Sequence, residues 1–157
     1  MVYVCYDNGA YMNTGTQRSS ATPQFADTTT TPAGTVSKGK VQVRKDLTAI
    51  MAEHHIPYAA QTTFTQNFKD LHTKAERAIY TEGAAFLNVM SPCPRGWGYE
   101  PSELMHICKL AVETCYWPLF EVVEGKWILN YEPKKKLPIE EFLKPQGRFK
   151  HLFKPEN

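Results

Sequence analysis

Long apolar runs are missing from this chain. None of its 157 residues falls in a stretch approaching the ~20 apolar residues of a membrane span, so no membrane partner is expected. Cysteine is sparse: Cys5, Cys93, Cys108 and Cys115 are spaced for neither a dense disulfide framework nor a complete zinc site. No basic segment followed by an apolar one opens the chain, so secretion is unsupported and a reducing cytoplasm is expected. A Lys-bearing phosphate loop is absent, which argues against nucleotide hydrolysis. The histidines form no compact pair with a carboxylate partner; His54, His55 and His72 read as surface or helix-end residues and His106 as helix surface. Excess charge is lacking too: a net +2 is too weak to argue for nucleic acid.

What is present points to a globular α/β protein. Hydrophobic residues are 42%, aromatics 12% and charged residues 22%, which excludes a disordered or low-complexity chain. The charge is unevenly placed. Glu132–Asn157 holds seven Lys/Arg against four Asp/Glu, and this basic tail reads as a solvated arm or a docking segment for an acidic partner. Val2-Tyr3-Val4-Cys5-Tyr6 reads as a buried strand directly after Met1, so the expectation is a piece of a larger domain or one half of an assembly.

Further along, the pattern alternates. Arg44–His54 reads as a helix with Leu47, Ile50 and Met51 on one face, and 57–62 as a short strand. Asn67–Thr81 reads as a helix with Phe68, Leu71, Ala75, Ala78 and Ile79 inward, and Ala84–Met90 as a strand. Ser91–Gly98 reads as a tight loop. The helix after Pro101 carries Leu104, Ile107, Cys108, Ala111, Val112 and Cys115 at helical spacing. Leu119–Val123 and Lys126–Tyr131 flank Glu124-Gly125 as a hairpin, and Pro138–Leu143 as a short helix. The expected class is α/β with a mostly parallel sheet. Residues 1–116 would form a partial ligand-binding domain, and 117–157 a C-terminal hairpin and basic extended tail.

In parallel sheets ligands bind beyond the carboxyl ends of the strands. Two loops lie there, Asp7–Ser37 and Ser91–Gly98. From Thr14 to Ser37, 11 of 24 residues are Ser or Thr, and only Arg18 and Asp27 are charged. A loop this long is usually functional or disordered. Asp7, Asn8 and nearby carbonyls are hard oxygens of the kind Mg²⁺ prefers, although composition alone reads Asp7-Asn8-Gly9 first as a turn. Cys93 is a soft ligand that cannot hold a cluster by itself, and a buried inert thiol is the alternative. Cys108 and Cys115 on a helix face, and Cys5 in a strand, fit that alternative.

Tyr6-Asp7-Asn8-Gly9-Ala10-Tyr11-Met12-Asn13-Thr14-Gly15, with Gln17–Pro23 and Thr29–Gly34, closely resembles the β subunit of 2-oxoacid:ferredoxin oxidoreductases, the pyruvate branch above all. Ser91-Pro92-Cys93-Pro94-Arg95-Gly96-Trp97 and Leu110–Thr114 continue the resemblance, which covers essentially the whole chain. It implies the C-terminal half of a thiamine diphosphate-binding fold. It further implies that thiamine diphosphate is held through Mg²⁺, with Asn8 as side-chain ligand and Ala10 as carbonyl ligand. Tyr11 and Thr14 would lie in the cofactor loop, and Asn13 would sit close to the reactive thiazolium as the catalytic residue. Cys93 would be the last of four thiolates around a 4Fe-4S cluster.

The implied activity is oxidative decarboxylation of pyruvate, with electrons passing through iron–sulfur clusters to ferredoxin and the acyl group to coenzyme A. The implied partners are the other subunits, including the missing N-terminal half, so the isolated chain would be inactive. The same chemistry on another 2-oxo acid, or a non-catalytic assembly module, are the alternatives. Gly9 stands where the family usually has Glu. The family's Gly-Asp-Gly motif and N-terminal cysteines are not in this sequence.

Overall fold

A computed structural model describes residues 1–65 and 68–154. Its framework is one five-stranded mixed sheet in the order β1-β3-β2-β4-β5. Strands β1 (Val2–Asp7), β2 (Tyr58–Thr63) and β3 (Ala85–Met90) run parallel, with β3 between the other two. Strands β4 (Phe120–Val123) and β5 (Lys126–Leu129) add antiparallel beside β2. Their turn places Glu124 and Gly125 at φ 47° and 75°, the left-handed pair that a two-residue hairpin requires.

Helix α1 (Leu47–Ala52) packs on one face of the sheet and α2 (Lys69–Tyr80) on the other. Side chains alternate across the strands. Tyr58, Ala60, Ala85, Leu87 and Val89 meet Ala78 of α2, while Ala59, Phe86, Phe120 and Val122 gather Leu47 and Met51 of α1. A third core joins Met90 to the one-turn helix α3 (Pro94–Trp97), helix α4 (Leu104–Glu113), Trp117 and Phe142 of helix α5 (Ile139–Leu143). Among the described residues no helix is long and apolar enough to cross a membrane.

Several expectations change. The β1 strand is regular but not buried: Tyr3 and Tyr6 are 60% and 70% exposed, because β1 lies at the sheet edge. Phe68 precedes α2 in the left-handed region and is exposed, and on α2 Ile79 is exposed rather than inward while Lys74 is buried. Burial of Lys74 is tolerated because its ammonium donates to the carbonyl of Gln61 and pairs with Asp70. Asn67, the expected start of this helix, lies outside the described residues.

The first helix begins at Leu47 rather than Arg44, where the Asp46 side chain accepts from the Ala49 N–H. Cys108 is buried in α4, but Cys115 lies past the helix end at φ 59° and is exposed. The last turn of that helix closes at Thr114, so the helical period no longer governs Cys115. Part of the tail is a 3-10 segment, Gly147–Phe153.

Candidate cofactor site

The two loops singled out by the sequence meet at the carboxyl end of the sheet. Asp7 pairs with Met90 as β1 and β3 end, and the Ser91 N–H donates to the Asp7 carbonyl at 2.9 Å. Parallel pairing therefore delivers the Asn8–Gly15 and Ser91–Gly98 segments to the same place.

The first loop is set by its own polar groups. Asp7 is buried, forms an ion pair with Arg44 and accepts the Gly9 N–H at 3.0 Å. With its carboxylate engaged in this way, Asp7 is not placed as a free metal ligand. Gly9 turns the chain at φ 74°, a conformation glycine adopts without steric cost. Beyond it, the Asn8 side-chain oxygen accepts the Ala10 N–H at 3.3 Å, an Asx turn. Asn8 and Ala10 are half-buried, and the Ala10 carbonyl receives no hydrogen bond from the described residues. Tyr11 pairs with Gln17 through two 3.0 Å backbone bonds, which close the turn that carries Asn13. Asn13 and Thr14 are exposed, with the Thr14 hydroxyl donating to Gln17.

The longer stretch behind this turn is irregular yet anchored. Lys40, 3% exposed, donates to the carbonyls of Ser20, Thr22 and Val43. Asp27 accepts the Ala33 N–H. The abundance of hydroxyls serves local turns: Ser19, Thr22, Thr28 and Thr29 all bond backbone groups within the loop or across it.

The expected tight loop after β3 contains a helical turn. Cys93 caps α3 by accepting the Gly96 N–H on its sulfur at 3.4 Å, and Pro94 occupies the first helical position. Gly98 ends the turn in the left-handed region at φ 73°. The two loops then lock together. Trp97, 2% exposed, donates its indole N–H to the Asn8 carbonyl at 2.7 Å. Met12 lies so close to Gly96 that a Cβ there would collide with its sulfur, and the same Cβ would lie 3.5 Å from Cys93 Sγ.

The donor set fits part of a cofactor site. Asn8 and the Ala10 carbonyl are neutral hard oxygens at a strand end. They could supply two positions of an Mg²⁺ site whose remaining ligands would be diphosphate, water and residues from elsewhere. Cys93 is a single thiolate donor. Among the described residues no group of three or more His, Cys, Asp or Glu could hold a metal ion, so a cluster at Cys93 would need its other thiolates from another segment.

Comparison with known proteins identifies the family. Residues 1–89 match the family model "Thiamine pyrophosphate enzyme, C-terminal TPP binding domain". The chain belongs to this family. The C-terminal TPP-binding domain thus spans β1 through almost all of β3, and Cys93 lies just past the matched residues.

Among curated relatives, pyruvate synthase subunit PorB of Methanosarcina barkeri is 48% identical over 154 residues, covering 98% of this chain and 52% of the relative. PorB of Thermotoga maritima is 47% identical, covering 97% of this chain and 47% of the relative. Ketoisovalerate oxidoreductase subunit VorB of Pyrococcus furiosus is 45% identical, covering 99% of this chain and 50% of the relative. The chain spans about half the length of the curated relatives it matches.

Sequence reasoning missed four residues that hold these loops. Arg44 and Lys40 give no local signal, because Asp7 lies 37 residues from Arg44, and two of the three carbonyls on Lys40 lie 18 and 20 residues away. Trp97 was visible only as part of a motif. Arg148 belongs to the tail read as solvated, but it is 5% exposed, with its guanidinium carbon 3.7 Å from the centroid of the Trp97 ring. The flat guanidinium lies over the indole face, which explains how a charged tail residue can be buried here.

Proposed function

We propose that this chain is the half of a 2-oxoacid:ferredoxin oxidoreductase β subunit that supplies one side of an Mg²⁺–thiamine diphosphate site and one ligand of a 4Fe-4S cluster. The observation that carries the reading is the hydrogen bond from Trp97 to Asn8. It holds the Asn8–Thr14 turn against the segment that bears Cys93.

Asn8 and the Ala10 carbonyl would ligate Mg²⁺, while Tyr11 and Thr14 line the cofactor loop. Asn13, exposed at the tip of the turn, would donate from its amide to an oxyanion developing on the substrate. When bound, thiamine diphosphate supplies the carbanion chemistry of 2-oxo acid decarboxylation. Cys93 would hold the cluster that leads electrons away to ferredoxin, and coenzyme A would take the acyl group. Other subunits, including one that carries the complementary half, complete the enzyme.

Pyruvate is the substrate favoured by the PorB relatives; the VorB relative supports a branched 2-oxo acid as the second reading. Co-expression with the complementary half, followed by calorimetry with Mg²⁺ and thiamine diphosphate and by a pyruvate- or ketoisovalerate-dependent ferredoxin reduction assay, tests the proposal. An assembled complex that binds no thiamine diphosphate would overturn it and leave a non-catalytic assembly module.

A further inference from the structure

The guanidinium of Arg148 is buried, yet no carboxylate among the described residues forms an ion pair with it. Its Nε donates to Gln146 at 2.8 Å, and Nη2 has no partner among the described residues. Two close approaches bring it to the cofactor turn. Gly147 packs on Gly98 at the end of α3, with the Gly147 N–H donating to the Gly98 carbonyl at 2.9 Å. A Cβ on Gly98 would meet the Gly147 Cα at 3.0 Å, so glycine keeps this contact open. The next residue, Arg148, then lies over the Trp97 ring at 3.7 Å, and its carbonyl accepts the Asp27 N–H at 2.9 Å. On its other side a Cβ at Gly9 would reach Nη1 at 3.2 Å.

We propose that Arg148 is a positioning residue for the Asn8–Ala10 turn, acting through Trp97 on the Asn8 carbonyl and directly against Gly9. This rests on the reading that Asn8 and Ala10 ligate Mg²⁺. The planar cation fixes the plane of the indole and polarises its N–H, which makes it a better donor. The Trp97 N–H in turn fixes the Asn8–Gly9 peptide, which is flanked by the Asn8 side chain and lies two peptide units before the Ala10 carbonyl, the two being tied by the bond from the Ala10 N–H to the Asn8 amide oxygen. A tail segment more than 130 residues away in sequence, by the difference between positions 148 and 8, thereby sets the direction of two candidate ligand oxygens. Burial, the largest influence, lowers the Arg148 pKa to about 10, so the residue is still a cation at neutral pH.

The test uses the assembled complex, with Mg²⁺ and thiamine diphosphate as probes and affinity measured by calorimetry beside turnover. Arg148→Ala is expected to weaken cofactor affinity by about tenfold or more, as loss of an outer-sphere support does, with a smaller effect on turnover at saturating cofactor. Arg148→Lys keeps the charge but not the planar stack and is expected to fall between wild type and Arg148→Ala. Trp97→Phe removes the N–H while retaining a ring, and is expected to weaken affinity similarly. Combined with Arg148→Ala it should add little, because the two act on one bond.

Unchanged affinity in a folded Arg148→Lys or Arg148→Ala complex, or fully additive losses in the double variant, would overturn the positioning role. Failure of the wild-type complex to bind thiamine diphosphate would instead remove the Mg²⁺-ligand reading, and this inference with it.

Discussion

The indole N–H of Trp97 donates to the carbonyl of Asn8 at 2.7 Å, across 89 residues of chain. It joins the turn after β1 to the helical turn after β3. The donor is shielded from water by the core that contains Trp97, Met90 and Phe142, while Asn8 is half-buried. A buried donor left without an acceptor costs about 1–3 kcal/mol, so the bond also disfavours any arrangement in which the two loops separate.

Gly96 tests the contact between those loops. Gly96→Ala would place a methyl against the Met12 sulfur. Methionine is flexible and can yield, so the expected stability loss is modest, about 1 kcal/mol. The displacement falls on the residue beside Asn13. The assembled complex is therefore expected to lose cofactor affinity out of proportion to its stability. Pairing Gly96→Ala with Met12→Ala should recover much of that affinity. Calorimetry on the two variants checks this.

Lys40 organises the long hydroxyl-rich loop through three carbonyls. Lys40→Met would keep the stem and remove the donor from the Thr22 and Val43 carbonyls, while the Ser20 carbonyl keeps the Lys45 N–H. The expected destabilisation is about 2 kcal/mol or more, read as a lower denaturant midpoint and faster proteolysis between residues 14 and 43. An unchanged midpoint would mean that water replaces the ammonium without cost.

Glu121 gives the fold a pH dependence of known sign. Burial pushes its carboxyl up, but donors from Arg77, Tyr58 and Asn130 outweigh burial and hold it below the usual carboxylate value. A carboxylate depressed in the folded state binds its proton more readily when unfolded. Its stabilisation is therefore complete above the unfolded value of about 4.3 and is lost as pH falls through the lower folded value. Glu121→Gln is expected to lower stability at pH 7 and to flatten the decline of stability below about pH 4. Urea melts across that range would show it; parallel curves for the two proteins would refute it.

Among the described residues the Cys93 sulfur makes one weak bond, from the Gly96 N–H. Cys93→Ala should therefore change the stability of the chain by no more than about 1 kcal/mol. In the assembled complex it is expected to impair the cluster. Normal iron content and an unchanged reduced-cluster spectrum would remove the assignment.

Asn13 is exposed at the turn tip and carries no structural load that the described contacts reveal. Asn13→Ala is expected to lower turnover by about a hundredfold, in the range of a lost oxyanion donor, with a smaller change in thiamine diphosphate affinity. Equal losses in both would make Asn13 a binding residue rather than a catalytic one.

Local pattern was enough for the strands, for the hairpin around Gly125 and for most of α2 and α4, because hydrophobic period and turn residues act over a few positions. It misplaced Ile79 and passed over Lys74, since a helix period says which residues share a face but not how wide the covered stripe is, and it misplaced Phe68, which precedes the helix at φ 49°. Lys74 is buried because Asp70 and the Gln61 carbonyl satisfy it. The expected burial of β1 failed for a related reason: an apolar run reports what a strand could cover, whereas its edge position in the sheet leaves Tyr3 and Tyr6 open.

By itself the sequence determined the α/β class, the family, and the two short strings that carry Asn8, Asn13 and Cys93. These follow from residue types at fixed local spacing. Only the tertiary structure decided that Asp7 is spent on Arg44, that Trp97 holds Asn8, and that Arg148 from the tail is buried above Trp97. Each of those facts depends on long-range pairing of parallel strands and on packing of the tail. The energy of such contacts comes from burial and geometry, which no local run of residues records.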